Sequence, residues 1–149
     1  MATLPFGTLL VPVDFSPPSI QAADRAFLLA TGEAPVVILV HVIDPLLVDF
    51  AVQHGWGDAV TVTESMRQRA EREMQHLKIR APDDISVDTI ISQGTPFVDI
   101  LRKADEFAVD AIIVGKSGGK ADIEKLMFGS TAEKLLRASH HPVLVLPGS

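Results

Sequence analysis

The chemistry of this chain concentrates in residues 111–147. A short apolar run, Ala111 to Val114, ends in Gly115. Gly118 and Gly119 follow, and Gly129-Ser130-Thr131 opens a helical pattern. Glycine lets the backbone come close to an anion, and the free N–H groups of a helix start point toward it. The Ser130 and Thr131 hydroxyls add two further donors. A strand, a glycine-bearing loop and a hydroxyl-rich helix start are together suited to holding phosphate. The plain alternative makes Ser130 an ordinary N-cap, and residue types alone leave the two readings even.

Other chemistries fit less well. There are no cysteines, which excludes disulfides, thiolate catalysis and zinc–thiolate sites. Gly115-Lys116-Ser117 is not a Walker A loop, because no glycine stands at the upstream position that pattern requires. Adjacent His140 and His141 point in different directions, so a turn before the last strand accounts for them better than a metal does. His41 falls inside a strand and reads as a satisfied core or rim histidine. No Ser–His–Asp constellation can be placed, and nothing marks a general base for rapid ATP hydrolysis.

The 149 residues are read as one domain, residues 1–149, able to bury roughly 70% of its unfolded surface. Apolar content of 47% with 21% charged residues is ordinary for a globular protein. A net charge of −6 argues against nucleic-acid or anionic-membrane binding, which want a basic face. The N-terminus lacks a basic n-region, and the most apolar window, Pro35 to Val52, holds His41, Asp44, Pro45 and Asp49. Neither a signal peptide nor a membrane span is expected, and the location expected is cytoplasmic.

Strands and helices alternate along the chain. Leu9 to Val13 reads as a buried strand, followed by Ser16 as a cap with Pro17 at the first helical position. Ile20, Ala23, Phe27 and Ala30 recur at helical spacing, and Val36 to Val42 is a second strand. Residues 43–60 hold Pro45, Gly55 and Gly57 around Trp56 and read as a long loop or moving cover. Thr61 or Thr63 caps a helix to about Lys78, with mixed charges on a solvated outer face. Ile85, Val87, Thr89 and Ile91 alternate as in a strand. Gly94-Thr95-Pro96 repeats the turn, cap and proline device. Asp110 to Val114, a connection over Lys120 to Phe128, a helix over Thr131 to Ser139 and a strand over Val143 to Leu146 complete the order. The class is α/β, a doubly wound open sheet of five parallel strands, Rossmann-like, with helices on both faces.

Such sheets bind ligands outside the carboxyl ends of their strands, where the strand order reverses. Two strand ends stand out: Pro12-Val13-Asp14 and Gly115 to Gly119. If these strands are neighbours, Asp14 could accept hydrogen bonds from an adenine amino group or ribose hydroxyls. The glycine loop and the N–H groups of Ser130 and Thr131 could then hold phosphates.

These residues also carry a resemblance. The chain resembles the nucleotide-binding universal stress proteins, whose motif is Gly, two residues, Gly, nine residues, then Gly-Ser or Gly-Thr. Gly115 and Gly118 match the first spacing, and Gly119 and Gly129 match the second. The segment is one residue longer than the motif, with the insertion at Gly118-Gly119. LLVPVDFS, VILVHVID, QGTP, DAIIVG and HPVLVLP extend the resemblance over nearly the whole chain. Ser117-Gly118-Gly119 also resembles the loop of ATP pyrophosphatases, but it follows the fourth strand rather than the first, and Asp122 is displaced by one position.

The family resemblance implies strand order 3-2-1-4-5. It implies that Asp14, with Pro12 and Val13, lies against the adenosine, and that Val42 packs on the adenine. Val114 and Gly115 would line the ribose and phosphate side. Gly118 or Gly119, with Gly129, Ser130 and Thr131, would hold the phosphates. Lys116 and Lys120 could reach them as mobile cations. The expected ligand is ATP, or ADP or AMP, with Mg2+ as a companion of the triphosphate. The last strand, apolar on both faces and at the sheet edge, implies a homodimer paired through Val143 to Leu146. The expected role is a stress-response or regulatory binding module rather than a fast enzyme. The alternative is a member that binds no nucleotide and acts as a dimeric interaction module.

Overall fold

The computed structural model describes residues 6–116 and 130–147, with Ser130 described by its backbone alone. Gly118, Gly119 and Gly129, together with Lys120, Asp122 and the expected 120–128 connection, lie outside the described residues. The described elements alternate as expected. β1 is Thr8–Pro12, α1 Pro17–Leu29, β2 Val36–Ile43, α2 Pro45–Gln53, α3 Ala59–Ile79 and β3 Ser86–Gln93. α4 is Pro96–Glu106, β4 Ala111–Gly115, α5 Ser130–Ala138 and β5 Val143–Leu146. All strand pairs are parallel, and the sheet order is β3-β2-β1-β4-β5. This is the order 3-2-1-4-5, with β1 and β4 as central neighbours and β5 at an edge.

Both faces of the sheet are buried, which is why its central strands read as continuous apolar runs rather than alternating ones. Leu9, Val11, Val37 and Leu39 pack on one face with Ala22, Ala26 and Phe27 of α1 and Met74 and Leu77 of α3. Leu10, Ile38, Val40 and Ile112 pack on the other with Ile100 and Ala104 of α4 and Ala132 and Leu135 of α5. Small alanines on α1 let that helix sit close to the sheet.

Three helices start by the same device, a capping residue with extended backbone followed by proline: Ser16-Pro17, Asp44-Pro45 and Thr95-Pro96. Proline suits the first helical position because its missing N–H would have had no partner there. The second case corrects the reading of residues 43–60 as a long loop. The Asp44 carboxylate accepts from the Leu46 N–H at 2.9 Å, and α2 follows, with Val48 and Ala51 buried against Ile43 and Val62. Gly55 and Gly57, both at positive φ, make the turn into α3. That helix is capped by Asp58, which accepts from Thr61 N–H at 2.8 Å, rather than by Thr61 or Thr63.

The His140-His141 turn is confirmed. Ser139 Oγ donates to the His141 carbonyl at 2.7 Å and accepts from the His141 N–H at 2.9 Å.

Candidate functional site

A crevice opens where β1 and β4 part. β2 and β3 run in register over Val36 to Ile43, but β1 and β4 pair only at Leu9–Ala111 and Leu10–Ile112. Beyond that point Pro12 has no N–H to offer a ladder. β1 then leads to α1 on one face of the sheet, while α5 lies on the other. A cavity of about 570 Å³ fills this strand-order reversal. That volume is in the usual range for a small-molecule site.

Its apolar walls include Val40, Val42, Ile100, Val114 and Leu135, and its polar groups include Asp14, Ser16, Ser19 and Thr131. Of the expected site residues, Pro12, Val13, Asp14, Val42, Val114, Gly115 and Thr131 all line it. Ser130 opens α5 beside it in sequence. Lys116 instead extends the sheet, its backbone N–H donating to the Leu146 carbonyl at 2.7 Å. Leu47, Pro96 and Ile100 are wall residues that sequence reasoning did not single out. The loop reading of residues 43–60 hides Leu47, Pro96 reads only as a helix start, and Ile100 carries no local signal of a site.

Asp14 is exposed at the mouth and held by the start of α1. Its Oδ1 accepts from the Ser16 N–H at 3.0 Å and from the Ser16 hydroxyl at 2.5 Å. Crowding by the crevice walls pushes the carboxyl up, but the Ser16 and Ser19 hydrogen bonds outweigh it and hold the group below its ordinary value. Asp14 is therefore an ionised acceptor at neutral pH. Ser16 occupies the N-cap position expected of it, yet its hydroxyl serves Asp14 rather than the helix.

The turn that presents Asp14 is built from both sides. Phe15 sits at φ 66°, a left-handed conformation uncommon for an aromatic residue. The Val13 N–H donates to the Val40 carbonyl at 2.8 Å. His41 Nδ1 lies 2.7 Å from the Val13 carbonyl. A carbonyl only accepts, so Nδ1 carries the proton. Val40, His41 and Val42 all border the cavity, and the His41 ring lies 4.8 Å from the Phe15 ring. The expected reading of His41 as a satisfied histidine holds, and its partner is the strand end that carries Asp14.

Gly115 has a tight packing role. A Cβ built there would stand 2.2 Å from the Pro18 carbonyl oxygen and 2.6 Å from its carbon. Only a hydrogen fits between the end of β4 and the first turn of α1.

The sequence profile described as the universal stress protein family matches residues 5–147. The chain belongs to this family. Among its relatives, the universal stress protein MJ0577 of Methanocaldococcus jannaschii is 31% identical over 154 residues, covering 93% of each chain. The solved structure of MJ0577 shares the architecture with a TM-score of 0.81 at 30% identity, over 97% of each chain. A universal stress protein solved in complex with cAMP shares the fold with a TM-score of 0.64 at 22% identity, over 97% of this chain and 98% of that one. The universal stress protein described here thus has its family's fold over the described residues.

Proposed function

We propose that this universal stress protein binds ATP or a related adenine nucleotide in the β1–β4 crevice and acts as a regulatory module. One observation carries the reading: Asp14 at the end of β1 and Thr131 in the first turn of α5 line the same cavity. An ionised acceptor on one side suits the amino and hydroxyl groups of a nucleoside. The first turn of a helix on the other has backbone N–H groups without intrahelical partners, and these suit phosphate. Val42 and Val40 supply an apolar surface for a flat base. In this reading Gly118 or Gly119, with Gly129, Ser130 and Thr131, holds the phosphates, and Mg2+ accompanies a triphosphate. The cAMP-bound family member is consistent with an adenine ligand.

The polar groups around the cavity support binding rather than fast turnover. Asp14 is engaged by Ser16, His41 by the Val13 carbonyl and Asp44 by the Leu46 N–H. A switch also requires the nucleotide to prefer one of two conformations. Homodimerisation through β5 and a cytoplasmic location complete the proposal.

The test is calorimetric titration of nucleotide-stripped protein with ATP and magnesium. Saturable binding is expected, weakened about tenfold by Thr131→Val through loss of one hydroxyl donor to a charged group. Absence of binding by the native protein would overturn the reading in favour of the nucleotide-free interaction module.

A further inference from the structure

A second surface lies at the elbow between α2 and α3. We propose that it docks a basic amphipathic helix of a partner protein. Leu46 and Phe50 are four residues apart on α2 and share a face, and Leu47 is three from Phe50. They are 74%, 51% and 60% exposed for Leu46, Phe50 and Leu47. The Phe50 ring stacks on His54 at 4.0 Å and meets Trp56 edge-on at 6.3 Å, and Trp56 is itself 68% exposed. Single exposed apolar residues are normal, but two leucines and two aromatic rings gathered at one elbow mark an interaction site. Tryptophan is also the residue most enriched at binding hot spots.

Charge selects the occupant. From Ala26 to Met66 the sequence has no Lys or Arg. Within it Asp49 on α2, Asp58 at the N-cap of α3 and Glu64 early in α3 are exposed. Asp49 follows Leu46 by one helical turn, and Asp58 follows Trp56 by two residues. A second copy of this chain would bring the same carboxylates face to face, and an anionic lipid surface would be repelled. A helix with apolar anchors on one side and Lys or Arg beside them satisfies both the apolar face and its acidic rim. Leu47 also lines the β1–β4 crevice, so the docking is tested on nucleotide-free protein.

Trp56 is the only tryptophan, so it reports directly on the elbow. The probe is a fluorescein-labelled synthetic helix of about 18 residues, leucines on one face and lysines on the other, without tryptophan. A saturable blue shift of Trp56 with a matching rise in peptide anisotropy is expected. Leu46→Ser/Phe50→Ser should weaken binding about tenfold. Asp49→Lys/Glu64→Lys, which keeps the apolar face, should weaken it at low salt. Leu28→Ser, at an 80% exposed leucine on α1, should leave it unchanged. The proposal is overturned by a peptide with glutamates for lysines binding equally well, or by indifference to the elbow variants. It is likewise overturned by a blue shift that concentration of the protein alone or anionic vesicles reproduce.

Discussion

Gly115 and Pro18 stand so close that a single methyl group on the glycine would overlap the proline carbonyl, 2.2 Å from its oxygen. Neither partner is the end of a flexible side chain, so the first turn of α1 would have to move. Overpacking of this kind costs about 1–3 kcal/mol. Gly115→Ala should lower stability by that amount in urea denaturation and weaken nucleotide binding together with it. A variant of native stability that has lost binding would mean that the glycine serves the ligand directly instead.

His41→Phe keeps a ring beside Phe15 and removes the donor to the Val13 carbonyl. A partly buried acceptor left without its partner costs about 1–3 kcal/mol. The larger consequence should be at Asp14, one residue beyond that carbonyl. We expect nucleotide affinity to fall more than the stability loss explains, read by calorimetry at a temperature where the variant is fully folded. Unchanged affinity would remove His41 from the positioning of the crevice.

The Asp14 carboxyl lies below its ordinary value of 3.8 because, against the partial desolvation by the crevice walls that pushes it up, the Ser16 and Ser19 hydrogen bonds favour the ionised form. A depressed folded value stabilises fully above the unfolded one and is lost as pH falls through the folded one. The stability gap between the native protein and Asp14→Asn should therefore be flat from about pH 5 to 8 and close below about pH 4. A gap that varies between pH 5 and 8 would contradict this assignment.

Among the described residues, edge strand β5 pairs with β4 alone. The carbonyls of Pro142 and Leu146 accept from Ile112 and Lys116, so alternation turns the backbone groups of Val143 and Val145 outward. Val145→Pro removes an outward donor and spares the ladder to β4. If two copies pair along β5, sedimentation should show a dimer that this variant converts to a folded monomer. A native monomer at working concentrations would remove the dimer from the proposal.

Much of this was legible because strand ends and helix starts carry local signals. Ser16-Pro17 and Thr95-Pro96 announced their helices, and Asp14 and Gly115 stood out at the ends of apolar runs. Asp44-Pro45 is the same signal, yet the glycines around Trp56 masked it. What stayed hidden depends on approach between distant segments. Pro18 touching Gly115, His41 reaching back to Val13 and Leu47 joining the crevice wall are products of packing and leave no mark on local sequence. The Ser16 hydroxyl shows the limit within a motif, since the residue takes the capping place and donates its hydrogen bond to Asp14.

The two-residue pairing of β1 with β4 has a mechanical consequence. The two parts of the sheet, β3-β2-β1 and β4-β5, meet in a ladder of only two residue pairs, at Leu9 and Leu10, flanked by the Thr8–Asp110 hydrogen bonds and the Gly115–Pro18 contact. Asp14 belongs to one part, whereas Thr131 follows from the other. A molecule gripped at both ends would act as a tie across that ladder, and its arrival would be felt as stiffness on the far side of the sheet, where β5 lies.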